Sequence, residues 1–413
     1  FLAYYDYATR IEGFRNSYAL DLDVESAPEE VDWDSMTPQQ GDDPNLLILQ
    51  FYHYYRATGN TDFVRRHYGF LRRNLTGQKH TDYHLPFHGD ETFQVFVMMA
   101  EGAPMKDFFT ADTGFEYVAA ARAMSEMAAV IGEDADAKDF AARAEECRLK
   151  TEEHYWNDEL GYYIPYVKKD TLEPSTSPFA NINLRPLWIE YAPPGDANQR
   201  RNVINTAKKL MNRRGTMKSH ARSAYYTGMT PGLLLYNLKA VGDMKHADLA
   251  YEGMTSRVIS PTGEFAEAYD KNDRWINYGS APTVLRPWES AINAEAVLYY
   301  ITGLTYDHKA DIATFQPHLP PGTDFLSIEN LYAGRNRFTL LINKTEKGNL
   351  DIDIRNTGEK PATVQLITEP VPGVEPPDET EVFNSPPYER ELWRRTGKLD
   401  PGEHLSASGG IIK

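Results

Sequence analysis

From Pro44 to about Gly303 the chain alternates apolar-faced helical segments with short turns, and this rhythm constrains the fold more than any single motif. PNLLILQFYHYYRATGN places Leu47, Phe51 and Tyr54 or Tyr55 on one face and stops at Gly59-Asn60. TDFVRRHYGFLRRNL reads as a helix with a Thr-Asp cap that ends near Gly77. A longer pair follows, ADTGFEYVAAARAMSEMAAVIG and then DADAKDFAARAEECRLKTEEHYW. Further helical patterns run to RPWESAINAEAVLYYITGL, with Asp196, Thr230 and Lys245-His246 near helix starts and Gly215, Gly242 and Gly303 near helix ends. No fixed-period repeat accompanies the pairs, which favours a closed ring of hairpins over a solenoid.

After Tyr306 the texture changes. FTLLI, LDIDI and ATVQLI are short β-rich runs punctuated by Gly334, Gly348 and Gly358. The expected architecture is therefore mainly α: an (α/α)6-type toroid over 1–307, followed by a small C-terminal β-sandwich-like domain over 308–413. EPVPGVEPPDETEV and LDPGEHLSASGG are turn-rich and read as irregular. About nine helices follow the first forty residues, where six hairpins need about twelve. The expectation is a ring incomplete at its N-terminal side, with FLAYYDYATRI a further helix and the acidic stretch after it a loop.

Charge excludes some partners. The 60 acidic against 43 basic side chains leave a net charge of -17, which repels nucleic-acid phosphates and supplies no polybasic motif for anionic lipid. No apolar run approaches the ~20 residues of a membrane span. One cysteine, Cys147, rules out an intrachain disulfide framework and reads as a packed or surface thiol. No signal-peptide pattern stands at the start, and localisation and oligomeric state stay open. Asn74-Leu-Thr76 and Asn343-Lys-Thr345 fit the glycosylation pattern. The 26 tyrosines and 6 tryptophans supply aromatic faces with polar edges, suited to sugar rings and to ordinary cores alike.

The unusual chemistry lies in the longer loops. HLPFHGDETFQVF sets Asp90 and Glu91 beside Phe87 and Phe93, and a carboxyl group near apolar walls is pushed toward the pKa of a general acid. GEFAEAYD carries Glu264, Glu267 and Asp270 with Phe265 and Tyr269 interleaved, a setting for a carboxylate that activates water. Alone, each loop reads as a solvated turn. Together, on corresponding ends of hairpins in a ring, they supply the two carboxyl groups that glycoside hydrolysis needs. His80, His84 and His88 have the i, i+4, i+8 spacing of a metal face, but Pro86 breaks the helix it requires, so no metal or organic cofactor is expected. SHARSAYYTG, with His220, Arg222, Tyr225 and Tyr226, leaves a polysaccharide lyase open, in which Tyr or His abstracts a proton and Arg neutralises a carboxylate. A non-catalytic carbohydrate-binding protein is the third reading.

Over residues 40 to 305 the chain resembles the catalytic domain of glucoamylase-type inverting glycoside hydrolases, the clan that includes trehalases, glucosidases and glycoside phosphorylases. The resemblance rests on HGDETF, FFTADTGFEYVAAARAMSEMAAVIG, YWNDELGYY, GEFAEAYD and RPWESAINAEA, in that order. It implies Glu91 as general acid and Glu267 as general base, with Arg286 and Trp288 near the substrate-lining wall. His88, Asp90, Tyr269 and Trp288 are the expected sugar contacts. The chain departs from the pattern at His88-Gly89, where the family has tryptophan before its acid pair, and at Ala268, where it has glutamine after its base. Its β domain follows the helices, whereas in several relatives a large sandwich precedes them. These departures bear on sugar specificity.

Overall fold

The computed structural model describes residues 43–78, 80–81, 85–86, 108–261, 263–276, 287–385 and 387–410. The expected N-terminal helix FLAYYDYATRI lies outside the described residues.

The first hairpin is α1 (Asp43–Thr58) and α2 (Thr61–Thr76). Gly59 turns between them at φ 62°, and Asn60, rather than the expected Thr-Asp pair, caps α2 by accepting from the Phe63 N–H at 3.0 Å. The second is α3 (Ala111–Ile131) and α4 (Asp134–Tyr155), joined through left-handed Gly132. These two helices pack closely at Gly114, where a Cβ would lie 2.9 Å from Thr151 Oγ1. Two short helices, α5 (Ala180–Asn183) and α6 (Arg185–Trp188), precede α7 (Ala197–Leu210). Asp196 caps α7 through the Asn198 and Gln199 N–H groups at 2.8 and 3.0 Å. The ring continues with α8 (Thr230–Ala240), α9 (Met244–Gly253) and α10 (Pro287–Thr302).

Burial separates two layers. The first half of α3 and nearly all of α8 are buried, as befits an inner layer that α1, α5, α6 and α10 share. Helices α2, α4, α7 and α9 bury one stripe each and expose the other. At one end of the ring, α1 meets the segment that follows α10. There Arg56 pairs with Glu190 at 2.6 Å and donates to the Tyr306 carbonyl at 3.4 Å, while Glu126 of α3 holds Lys309 at 2.7 Å.

Among the described residues, short strands β1 (Phe108–Thr110), β2 (Trp156–Asn157), β3 (Tyr162–Tyr163), β4 (Tyr166–Lys168), β5 (Tyr225–Thr227) and β6 (Ala268–Asp270) stand between the helices, and two larger sheets make the C-terminal sandwich. One has the order β15-β11-β10-β9, from His404–Gly409, Leu350–Asn356, Asn336–Lys344 and Phe325–Ala333. The other has β13-β14-β12-β8-β7, from Thr380–Ser385, Arg390–Leu399, Ala362–Thr368, Ile312–Phe315 and Thr305–Asp307. β10 alternates strictly, with Phe338, Leu340 and Ile342 buried between the sheets. Each such side chain contributes about 1.5–3 kcal/mol by leaving water. The first strand begins slightly ahead of the expected boundary at 308. The two segments expected to be irregular instead supply the start of β13 and all of β15; most of their Gly and Pro residues fall in the turns before these strands.

One apolar core runs from α6–α10 into the sandwich, and a second joins α1–α4. Ring and sandwich also share buried polar contacts. Lys239 of α8 donates to the Gln316 carbonyl at 3.0 Å, and Tyr388 donates to the Lys239 carbonyl at 3.1 Å. No described helix is long and apolar enough to cross a membrane. Cys147 is buried, and burial pushes its thiol up to about 12, so it is an inert packing residue. Asn74 is 2% exposed and donates to the Phe70 carbonyl inside α2, which hides that glycosylation pattern in the folded chain.

Candidate active site

The site grows from a small antiparallel pairing between two loops far apart in sequence. β5 (Tyr225–Thr227) lies beside β6 (Ala268–Asp270), with Tyr225 opposite Asp270, Tyr226 opposite Tyr269 and Thr227 opposite Ala268. The two motifs singled out for competing chemistries, SHARSAYYTG and GEFAEAYD, are thus parts of one structure.

Glu267 enters β6 half-buried, and its carbonyl accepts the Gly228 N–H at 2.7 Å. Gly228 is held on its other side by Asn293 of α10, whose side chain donates to the Gly228 carbonyl at 2.8 Å. A Cβ at Gly228 would lie 1.9 Å from the Ala266 carbonyl oxygen and 2.8 Å from Glu289 Cγ, so only glycine fits. Glu289, in the first turn of α10, is 2% exposed and packs directly against this peptide. Immediately below, Asn181 of α5 donates to Thr227 Oγ1 at 2.6 Å and accepts from Thr230 Oγ1 at 2.7 Å. Side chains of α5, α8 and α10 thus surround the Thr227-Gly228 segment.

A buried charge pair braces the start of α3 nearby. Arg185 of α6 pairs with Glu116 of α3, and both are almost wholly buried. Asp112, in the first turn of α3, is fully buried; burial pushes its carboxyl up, and Arg185 pulls it back.

The expected sugar contact Tyr269 needs correction. It is 3% exposed and stacked on Tyr226 at 5.3 Å, and its hydroxyl accepts from the Ala266 N–H at 2.8 Å and donates to the Val258 carbonyl at 3.1 Å. Burial pushes its phenol up to about 12. Tyr269 supports the strand from beneath and presents no face to a ligand. Glu91, His88, Asp90 and Arg286 lie outside the described residues, as does His84, and Trp288 stands in α10 with its side chain outside them too.

The residues singled out for a lyase are divided between core and surface. His220 is fully buried, Arg222 is exposed, and the Tyr226 hydroxyl donates to Asp273 at 3.0 Å within the core. Among the described residues no group of three or more His, Cys, Asp and Glu side chains is placed to hold a metal ion. His80 packs edge-on against Tyr117 at 4.3 Å.

Glu289, Asn293 and Asn181 escaped the sequence reading. RPWESAINAEA held the first two in plain view, but only the approach of α10 to Gly228 shows what they touch. The signal available was the pair of buried-type polar residues on an otherwise apolar helix.

Residues 111–230, less than half of the chain, match the Trehalase family. No curated protein matches the chain in sequence. Among solved structures, an α-L-rhamnosidase from Dictyoglumus thermophilum is 12% identical at a TM-score of 0.58, over 97% of this chain and 44% of that one. An α-L-rhamnosidase from Aspergillus terreus is likewise 12% identical at a TM-score of 0.57, over 100% of this chain and 43% of that one. A sialidase is 15% identical at a TM-score of 0.55, over 76% of this chain and 31% of that one. The chain spans less than half the length of each. It has the expected fold, a helical ring with a C-terminal β domain, shared with these rhamnosidases.

Proposed function

We propose that the protein hydrolyses a glycosidic bond with inversion, using Glu267 as the general base and Glu91 as the general acid. The observation that carries this reading is the anchoring of Glu267: Asn293 of α10 holds the Gly228 carbonyl, and the Gly228 N–H holds the Glu267 carbonyl. The similarity of 111–230 to the Trehalase family and the rhamnosidase-like architecture support a carbohydrate substrate. Glu267 takes a proton from water as that water attacks the anomeric carbon. Glu91 gives its proton to the departing oxygen; attack from the opposite face inverts the anomeric centre, and proton exchange with solvent returns Glu91 to its acid form and Glu267 to its carboxylate before the next turnover. Inversion requires the two carboxyl groups to stand about 6.5–9.5 Å apart, leaving room for the water.

The test is a glycoside panel, with trehalose and aryl rhamnosides and glucosides among its members, read by NMR of the first-formed anomer. The expected result is release of the inverted sugar, with turnover falling by at least about a thousandfold in Glu267→Gln. A retained anomer, an unsaturated product absorbing in the ultraviolet, or an unchanged rate in Glu267→Gln would each refute the assignment.

A further inference from the structure

Trp275 is 55% exposed, one of few large apolar side chains in the described residues left so open. It has no aromatic or hydrogen-bonding side-chain partner among the described residues, yet its backbone is fixed. Trp275 bridges Tyr269 in the β6 strand that follows Glu267, and the next residue, Ile276, donates its N–H to the Ala268 carbonyl at 2.9 Å. The turn leading to it is tied down at every step. Asp270 Oδ1 accepts the Asn272 and Arg274 N–H groups at 2.7 and 3.0 Å, and the Asp270 N–H donates to the Arg274 carbonyl at 2.7 Å. Asp273 adopts a left-handed φ of 65° and buries its carboxylate, which accepts from Thr216 at 2.8 Å and Tyr226 at 3.0 Å and pairs with Arg214 at 3.2 Å. A strained, non-glycine backbone held by three side chains is structure maintained at a cost of order 1–3 kcal/mol. The large apolar side chain it presents to solvent, beside exposed Lys271, Asn272 and Arg274, is one indole.

An exposed indole on a rigid hairpin binds flat C–H faces with little further loss of side-chain entropy. Glu267 stands only two residues before Tyr269, the residue opposite Trp275. We propose that Trp275 is a stacking platform for a second sugar unit, so that the site favours di- and oligosaccharides over glycosides with a small leaving group. This rests on the glycosidase reading of Glu267. The proposal places one pyranose at Glu267 and its neighbour on the indole.

The test compares Trp275→Ala and Trp275→Phe with the full wild-type chain on glycosyl fluorides and on the matching disaccharide and trisaccharide. Trp275→Ala is expected to lose about three- to tenfold in kcat/KM on the longer substrates, chiefly through KM, with Phe recovering part of it. The loss is expected to be smaller on glycosyl fluorides, whose leaving group is too small to stack on the indole. Equal kinetics for wild type and Trp275→Ala on every substrate length would overturn the platform while leaving hydrolysis in place. Calorimetric titration of the Glu267→Gln chain with the same trisaccharide separates the two ideas. Trisaccharide binding that weakens on adding Trp275→Ala supports the platform even if no glycoside is hydrolysed. Binding indifferent to Trp275 overturns it. Trp275→Phe, which keeps an aromatic side chain, decides the matter if the alanine variant does not fold.

Discussion

Gly228→Ala is the sharpest perturbation of the candidate site, because its effect is read from one contact. The new methyl group would lie 1.9 Å from the Ala266 carbonyl oxygen, whereas real Cβ atoms essentially never approach a neighbour within 3.0 Å. Either β5 or the segment carrying Ala266 and Glu267 must therefore move by about 1 Å. β5 has little freedom. Thr227 is fixed to Asn181, the Gly228 carbonyl is fixed to Asn293, and Glu289 Cγ blocks the other direction at 2.8 Å. The shift is expected to fall on Glu267. Displacing a reacting group by about 1 Å costs on the order of a hundredfold in rate. Overpacking costs about 1–3 kcal/mol of stability besides. The assay is kcat and KM on an aryl glycoside, beside a thermal melt. The expected outcome is a loss concentrated in kcat, with the chain folded at the assay temperature. A folded Gly228→Ala protein with wild-type kcat would refute the claim that Gly228 sets the position of Glu267.

Two more predictions test the frame around the site. Arg185→Met leaves Glu116 as a buried carboxylate without its guanidinium, and a chemical-denaturation midpoint should register a loss of about 3–5 kcal/mol; an unchanged midpoint would show the pair to be dispensable. Burial lowers Lys239 to about 7, opposed by Glu369 and Asp248 and aided by Arg390. Between about pH 7 and 10 the unfolded chain then binds more protons at this lysine than the folded one, so this group makes stability rise with pH across that window. Lys239→Met should flatten the rise and stabilise the protein most below pH 7, as measured by melts at pH 6 and 9; parallel shifts at both pH values would contradict it.

The periodic parts of the fold are legible in the sequence, and the reasons are local. NRFTLLINK alternates because one side of β10 meets the opposing sheet, and its burial alternates accordingly. Asp196 and Gly132 mark helix ends because a carboxylate can cap N–H groups and glycine tolerates positive φ. The β5–β6 pairing is not legible. It is three residues long, joins positions some forty apart, and leaves no period to read. For the same reason the burial of Tyr269 is invisible: an aromatic beside a carboxylate in a loop reads as a ligand contact until the strand that covers it is known. The start of β13 and all of β15 were masked by the Pro and Gly residues of the turns before them. Trp188 shows a further limit. It touches both apolar cores and donates its indole N–H to Glu295 at 3.1 Å. A helix in a closed ring shows a polar stripe whether that stripe faces bulk water or the ring's centre.

The candidate base is held by backbone, which separates two kinds of control. Glu267 and Trp275 belong to the same hairpin but are fixed by different parts of the molecule. Gly228, Asn293 and Glu289 tie the Glu267 end to α8 and α10. Asp273, Arg214 and Thr216 tie the Trp275 end to the segment after α7. On the proposed roles, a change at Asn293 is expected to act first on the bond-breaking step and a change at Thr216 first on the stacking of a distal sugar. Tyr226, which donates to Asp273 and stacks on Tyr269, couples the two ends, so each change is expected to reach the other end in weakened form.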